Sequence, residues 1–282
     1  MYKVLITGAN GQVGKELRAL SHLFSSFQFF FLTKEDLQID QFELVGNVFK
    51  TIKPDFCINC AAYTAVDKAE SQKELAYLIN AEAAGNLAKV CKENNTILFH
   101  ISTDYVFDGA NTLGYDENAS TNPISKYGAT KALGEIMLRE ATDTFYLIRL
   151  SRLFGAPGPS SASKKSFVDI MLDLVINQGK KEIKLINEEF SCPTYSVDVA
   201  RFTHQLITRN EPFGIYHAAN SGACTWFEFG KKIFALKNLE VTVVPILGAQ
   251  YPRAAKRPAY SELLNTKLPP ARTWEEALAE YL

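Results

Sequence analysis

Short apolar runs recur at Lys3–Ile6, Phe27–Leu32, Phe56–Cys60, Ile97–Ile101 and Phe145–Leu150, nearly continuous rather than alternating with polar positions. Runs of this kind predict strands covered on both faces, as in a parallel sheet. Between them, Val13–Leu23, Glu74–Lys92 and Tyr127–Arg139 carry apolar residues at helical spacing. Strands alternating with helices predict an α/β fold built on a doubly wound parallel sheet. The pattern loosens after Gly155, where GAPGPSSASKK has the composition of an exposed loop. Beyond it lie a helix at Phe167–Gln178, the strand-like EIKLI, a helix at Val197–Thr208 and the WFEFGKKIFAL helix. Residues 1–154 thus read as one nucleotide-binding domain. Residues 155–282 read as a smaller C-terminal lobe for substrate, interleaved with the first, and the chain has no internal repeat or low-complexity tract.

Composition narrows the class of partner. Lysine and arginine number 30 against 31 acidic residues, and 47% of positions are apolar, so a globular protein acting on small molecules is expected rather than a binder of nucleic acid or membrane. Five cysteines, an odd number, read as reduced thiols of a cytoplasmic protein. Cys57 and Cys60 form a CxxC, but no second pair follows at zinc-finger spacing, and no metal site is expected from it. MYKVLITG is too short before its glycine to be a signal segment, and no apolar stretch approaches transmembrane length.

The first strand runs into Thr7-Gly8-Ala9-Asn10-Gly11-Gln12-Val13-Gly14, a G-x-x-G-x-x-G that opens a helix. Glycines there permit a tight turn, close approach of backbone to a pyrophosphate, and contact between helix and strand, while the helix N-terminus attracts phosphate charge. An ordinary strand-to-helix turn has the same glycines, but the β-α units that follow favour a dinucleotide. The second strand ends at Thr33-Lys34-Glu35-Asp36, where adenosine ribose would lie. An acidic residue there favours a free 2′-hydroxyl and a basic one a 2′-phosphate; Lys34 and Glu35 mix the two signals, with a slight lean to NADPH over NADH. Asp40 is placed either against the adenine edge or as the cap of a helix starting at Gln41.

SKYGATKALGE sets Tyr127 and Lys131 four residues apart on a helix, on one face. A cation beside a phenol favours the phenolate, which makes tyrosine a usable proton donor and acceptor. The strand Ile97–Ile101 ends in Ser102, Thr103, Asp104 and Tyr105. Ligands of doubly wound sheets lie across the carboxyl ends of the strands, so these polar side chains are expected to face a ligand, with Thr103 sharing a substrate oxygen with Tyr127. The alternative for Ser102 or Thr103 is a local N-cap.

These segments together resemble the extended short-chain dehydrogenase/reductase superfamily and, within it, the dTDP-4-dehydrorhamnose reductase family. The resemblance covers nearly the whole chain: GANGQVG, PDFCINCAAYTAVDKAE, ISTDYVFDG, YGATKALGE, CPTY, GIYHAANSG and AKRPAYSELL. It implies a Rossmann fold and an oxidoreductase using NADPH or NADH on a nucleotide sugar. It implies Tyr127 as proton donor, Lys131 as its partner and ribose ligand, and Thr103 as the tuning hydroxyl. Gly11, Gln12 and Val13, with Gly8, Asn10 and Gly14 shaping the turn, would hold the pyrophosphate. Asp40 and Gln41 would sit near adenine, and Ala62, Tyr63 and Thr64 would line the ribose and nicotinamide path. Thr103, Asp104 and Tyr105 would meet the sugar, and Arg257 the diphosphate. The chain departs from the family in LSRLFG, where Arg152 stands in place of a tryptophan that packs on the sugar. Glu16, Glu188 and Glu189 match a region where some members hold magnesium at a dimer contact, although a solvated acidic face explains them too. A monomer or homodimer is expected. Reductases or epimerases of other nucleotide sugars, and a non-catalytic dinucleotide-binding subunit, share parts of the pattern.

Overall fold

The computed structural model describes residues 1–158 and 165–282; the middle of the loop predicted after Gly155 lies outside the described residues. In chain order the elements are β1 (Tyr2–Thr7), α1 (Gln12–Leu20), β2 (Phe27–Leu32), α2 (Phe42–Ile52), β3 (Phe56–Asn59), α3 (Lys73–Tyr77), α4 (Ala83–Glu93), β4 (Ile97–Thr103), α5 (Lys126–Ala141), β5 (Phe145–Leu150) and β6 (Leu153–Phe154). There follow α6 (Phe167–Leu172), β7 (Glu182–Ile186), β8 (Thr194–Tyr195), α7 (Ser196–Arg209), β9 (Gly214–His217), α8 (Trp226–Leu236), β10 (Thr242–Ile246) and α9 (Trp274–Tyr281). Six strands form one parallel sheet in the order β2-β1-β3-β4-β5-β9.

Side chains alternate between the two faces of each strand. Val4, Ile6, Ile58, Phe99, Tyr146 and Ile148 pack on one face with Leu17 of α1 and Val199 and Leu206 of α7. Leu5, Cys57, Leu98 and Leu147 pack on the other with Val45 and Phe49 of α2, Leu87 of α4 and Leu138 of α5. The sixth strand, β9, comes from GIYH in the last third of the sequence, too short and mixed to read as a strand on its own. The smaller lobe pairs β10 with β7 and buries Val168, Leu185, Phe229, Ile233, Trp274 and Leu278.

The helix expected over Glu74–Lys92 is interrupted. A π-helical turn, Leu78–Glu82, separates α3 from α4, and such bulges re-aim side chains near functional sites. It buries Asn80, which sequence periodicity alone did not single out.

The turn after β1 is where glycine is required. Gly8 has φ of +63°, and a Cβ there would lie 2.6 Å from the backbone nitrogen of Ala61. Gly8→Ala is therefore expected to destabilise the fold by roughly 1–3 kcal/mol, read as a lowered urea midpoint at unchanged slope.

Candidate active site

The polar ends of β3 and β4, the turn before α1 and the start of α5 open into one cleft of about 540 Å³, closed on the far side by the small lobe. Gly11, Gln12 and Val13 line it, as do Ala62, Thr64, Thr103, Asp104, Tyr105, Tyr127, Lys131 and Arg152. Sequence positions 100 residues and more apart thus meet there. Gly11 is the N-cap of α1 and offers no side chain to the first-turn amides, so these donors are suited to a phosphate. Gln12 Nε2 donates to Gly155 O at 3.0 Å and Lys15 Nζ to Pro157 O at 3.2 Å, tying this helix to the loop after β6.

Gly8, Asn10 and Gly14 do not line the cleft. Gly14 instead lets α1 approach Ala9, whose Cα a Cβ would meet at 2.7 Å. Asp40 and Gln41 also lie outside the lining. The capping alternative for Asp40 fails, because Gln41 occupies the N-cap of α2 and makes no side-chain cap bond. Tyr63, between the lining residues Ala62 and Thr64, is itself outside the lining: its N–H donates to Asn80 Oδ1 at 2.9 Å, and Asn80 Nδ2 donates to its carbonyl at 3.1 Å and to Thr130 Oγ1 at 3.2 Å. Asn80 thus fastens segment 62–64 to α5. Asn80→Leu leaves both Tyr63 groups unpaired, and a loss of about 1–3 kcal/mol in thermal melting is expected, with dinucleotide affinity weakened several-fold in titration.

Tyr127 and Lys131 are buried on the inward face of α5, whose N-terminus is capped by Ser125 accepting from Gly128 N. Burial pushes the Tyr127 phenol well up from its ordinary value, and the Thr103 hydroxyl beside it pulls the other way. Burial also brings the Lys131 amine down to about 8, opposed by Glu135. Lys131 Nζ donates to Ile101 O at 2.7 Å and lies 3.3 Å from His100 Nε2.

Thr103 takes the capping role weighed for it and also borders the cleft. Its hydroxyl lines the cleft and also accepts from Tyr105 N at 3.2 Å, capping a short 3₁₀ turn. Ser102 donates to Glu135 Oε1 at 2.5 Å. Asp104 is buried and accepts from Ser151, Ser261 and Thr103; burial raises its carboxyl and these hydroxyls restrain the rise.

Arg257 and Asp67 bind each other, Nη1 to Oδ1 and Nη2 to Oδ2, both at 2.6 Å, with Ala255 N donating to the same carboxylate at 3.0 Å. The guanidinium holds Asp67 down at about 2. Arg257 borders a small recess beside the cleft with Tyr105, Arg152 and Trp226. AVDKAE and AKRPAYS are therefore two halves of one clasp.

The family model described as RmlD substrate binding domain matches residues 2–282. The chain belongs to this family. It is 37% identical over 287 residues to the spore coat polysaccharide biosynthesis protein SpsK of Bacillus subtilis, covering 100% of this chain and 97% of that one. It is 36% identical to a dTDP-4-dehydrorhamnose reductase of Burkholderia thailandensis, covering 94% and 91%. The crystal structure of dTDP-4-dehydrorhamnose reductase from Bacillus anthracis in complex with NADP superposes with a TM-score of 0.92 at 37% identity, covering 100% of this chain and 99% of that one.

Within this RmlD-family fold, Arg152 has a different setting from a free sugar ligand. Its guanidinium lies 4.0 Å over the Trp226 ring, Nη1 donates to Cys224 O at 2.6 Å and Nη2 donates to Glu189 O. Trp226, with Phe167 at 4.6 Å, forms the small-lobe wall of the cleft. Neither aromatic was singled out from sequence, because each reads as an ordinary core residue of its helix.

Within the chain the three carboxylates considered for magnesium have separate settings. Glu188 accepts from Gly248 N at 2.6 Å, Glu189 is paired with Arg253 and Trp226, and Glu16 is desolvated on α1 near Ser196. Among the described residues no group of three or more His, Cys, Asp or Glu is arranged to hold a metal ion, and no helix is long and apolar enough to cross a membrane. All five cysteines are free thiols; burial pushes Cys60 up to about 12, so it is a poor nucleophile.

Proposed function

We propose that the chain reduces the C4 keto group of a nucleotide-linked 6-deoxysugar, foremost dTDP-4-dehydro-L-rhamnose to dTDP-L-rhamnose, using NADPH or NADH. One observation carries the reading: the uncapped N-terminus of α1 and the buried Thr103, Tyr127 and Lys131 open into the same cleft. A phosphate-suited turn and a proton donor lining one cavity match a dinucleotide laid between them. A reduced nicotinamide bound there supplies the hydride. Tyr127 donates its proton to the oxygen where charge develops, Thr103 adds a second donor, and Lys131 supports the tyrosine and the ribose.

Gly11, Gln12 and Val13 hold the pyrophosphate on a turn shaped by Gly8, Asn10 and Gly14. Asp40 and Gln41 flank adenine, and Ala62, Tyr63 and Thr64 flank the ribose and nicotinamide. Asp104 and Tyr105 meet the sugar, Arg152 acts through Trp226, and Arg257 closes the clasp over the diphosphate. Residues 1–154 supply most of the cofactor side and residues 155–282 most of the substrate wall. One protomer carries the whole cleft, which is compatible with a monomer or a homodimer, and five free thiols suit the cytoplasm.

The test is oxidation of NADPH or NADH by the purified chain with dTDP-4-dehydrorhamnose, with and without magnesium. Turnover independent of added magnesium is expected; absence of turnover with either cofactor overturns the reading. The Arg152–Trp226 stack favours a second reading, another 4-keto sugar nucleotide, and a panel of such sugars distinguishes the two.

A further inference from the structure

On the α5 side of the sheet, buried polar residues from three neighbouring strands stand in one row. Thr7, Asn59 and His100 are register partners across β1, β3 and β4. Thr7 Oγ1 donates to Asn59 Oδ1 at 2.6 Å, and the backbone N–H of Ala61 donates to the same oxygen at 3.2 Å. A backbone N–H can only donate, so the amide of Asn59 must present its carbonyl to Ala61 and its NH₂ to His100 Nδ1, 3.0 Å away. That NH₂ can only donate as well. In a neutral ring Nδ1 then accepts, and the proton resides on Nε2, which faces Lys131 Nζ at 3.3 Å.

His217 supplies the contrast. Its Nδ1 lies 3.0 Å from the Leu264 carbonyl, which can only accept, so its proton is on Nδ1 and Nε2 is left to accept from Arg149 Nη1 at 3.5 Å. Two buried histidines on one face of the sheet thus adopt opposite tautomers, each dictated by the group at Nδ1.

We infer that Asn59 and His100 are positioning residues that present an N–H, rather than a lone pair, to Lys131 and thereby set the proton affinity of its amine. An ammonium has nothing to donate to at that contact, whereas a neutral amine accepts the bond. The other titratable groups around the amine are Tyr127 and Glu135 on α5, Asp104 and Tyr105 after β4, and Cys60 after β3. Glu135 is committed to Arg149 and Ser102, and Asp104 to Ser151 and Ser261. Burial acts on the amine in the same direction as the N–H, and it also holds the His100 ring neutral. The consequence rests on the proposed reduction, in which the ammonium form of Lys131 supports Tyr127 and the ribose: the N–H lowers the pH at which that charge is lost and so sets the alkaline limit of turnover.

The tautomer is tested without any substrate, on the full-length chain labelled with ¹⁵N-histidine. His100 is expected to show the neutral Nε2–H form throughout about pH 6–9; an Nδ1–H form or an imidazolium overturns the inference. In Asn59→Asp the carboxylate accepts from Nδ1–H, turning a lone pair toward Lys131. The alkaline limb of kcat/KM should then move up by about one unit, a tenfold gain in proton affinity. Placed in a His100→Phe background, the same substitution should move the limb by less than about 0.3 unit. An unmoved limb in Asn59→Asp, or a full shift surviving without His100, overturns the coupling. If the sugar is not turned over, the pH dependence of NADPH binding supplies the limb, so failure of the proposed reaction is separable from failure of the inference.

Discussion

Tyr127→Phe is expected to lower kcat for keto-sugar reduction by roughly two to four orders of magnitude while changing NADPH affinity by less than about twofold. The substitution removes one oxygen and keeps the ring. That ring is buried, meets Tyr105 edge-on at 5.5 Å and packs with Ala69 and Ala76, contacts a phenylalanine retains. The phenol is the one acid on the inward face of α5 that opens to the cleft with a second hydroxyl, Thr103, beside it. Stopped-flow oxidation of NADPH measures the chemical step, and fluorescence titration the binding. Turnover near the parent value would remove Tyr127 from the proton transfer; loss of binding along with turnover would mean that the ring, rather than its hydroxyl, was lost.

Arg149→Leu is expected to destabilise the fold by about 3–5 kcal/mol, on the order of 10 °C in melting temperature. Arg149 and Glu135 are 2% and 1% exposed, and the pair is bidentate, Nη2 to Oε2 at 2.6 Å and Nε to Oε1 at 3.0 Å. The guanidinium also covers the Phe107 ring. Removing it leaves Glu135 charged in the interior with only Ser102 to satisfy it. Arg149→Leu combined with Glu135→Leu removes both charges and should recover most of the stability. Because Glu135 lies one turn beyond Lys131 on α5, the single variant should also depress kcat, and the double variant should restore the melting temperature more than the rate. Recovery of neither would show that the pair is not the source of the loss.

The two ends of α5's inward face explain an oddity of its sequence. KYGATKALGE lacks a clean apolar stripe because the positions that meet the sheet are Lys131 and Glu135, anchored to His100 and Ile101 on one side and to Ser102 and Arg149 on the other. Read along the chain, Tyr127 and Lys131 are a spacing that many solvated helices share. In space, Thr7, Asn59, His100, Arg149 and His217 form a polar patch on the α5 face of the sheet, each two residues beyond an apolar residue of its own strand, Leu5, Cys57, Leu98, Leu147 and Ile215.

Local pattern by itself determined the alternation of strands and helices, the glycine turn, and the Tyr127–Lys131 face, since each depends on residues within a few positions of one another. It also pointed to Thr103 and Asp104 at a strand end, because doubly wound sheets put ligands there. Only the tertiary structure decided that Arg257 is engaged by Asp67, that Arg152 stacks on Trp226, that the acidic residues Glu16, Glu188 and Glu189 are spoken for separately, and that Asn80 and His100 contact Thr130 and Lys131 of α5. Those pairings join segments separated by 31 to 190 residues in sequence. No periodicity encodes such a pairing; burial does, by requiring every polar group taken from water to find its partner wherever the fold brings one.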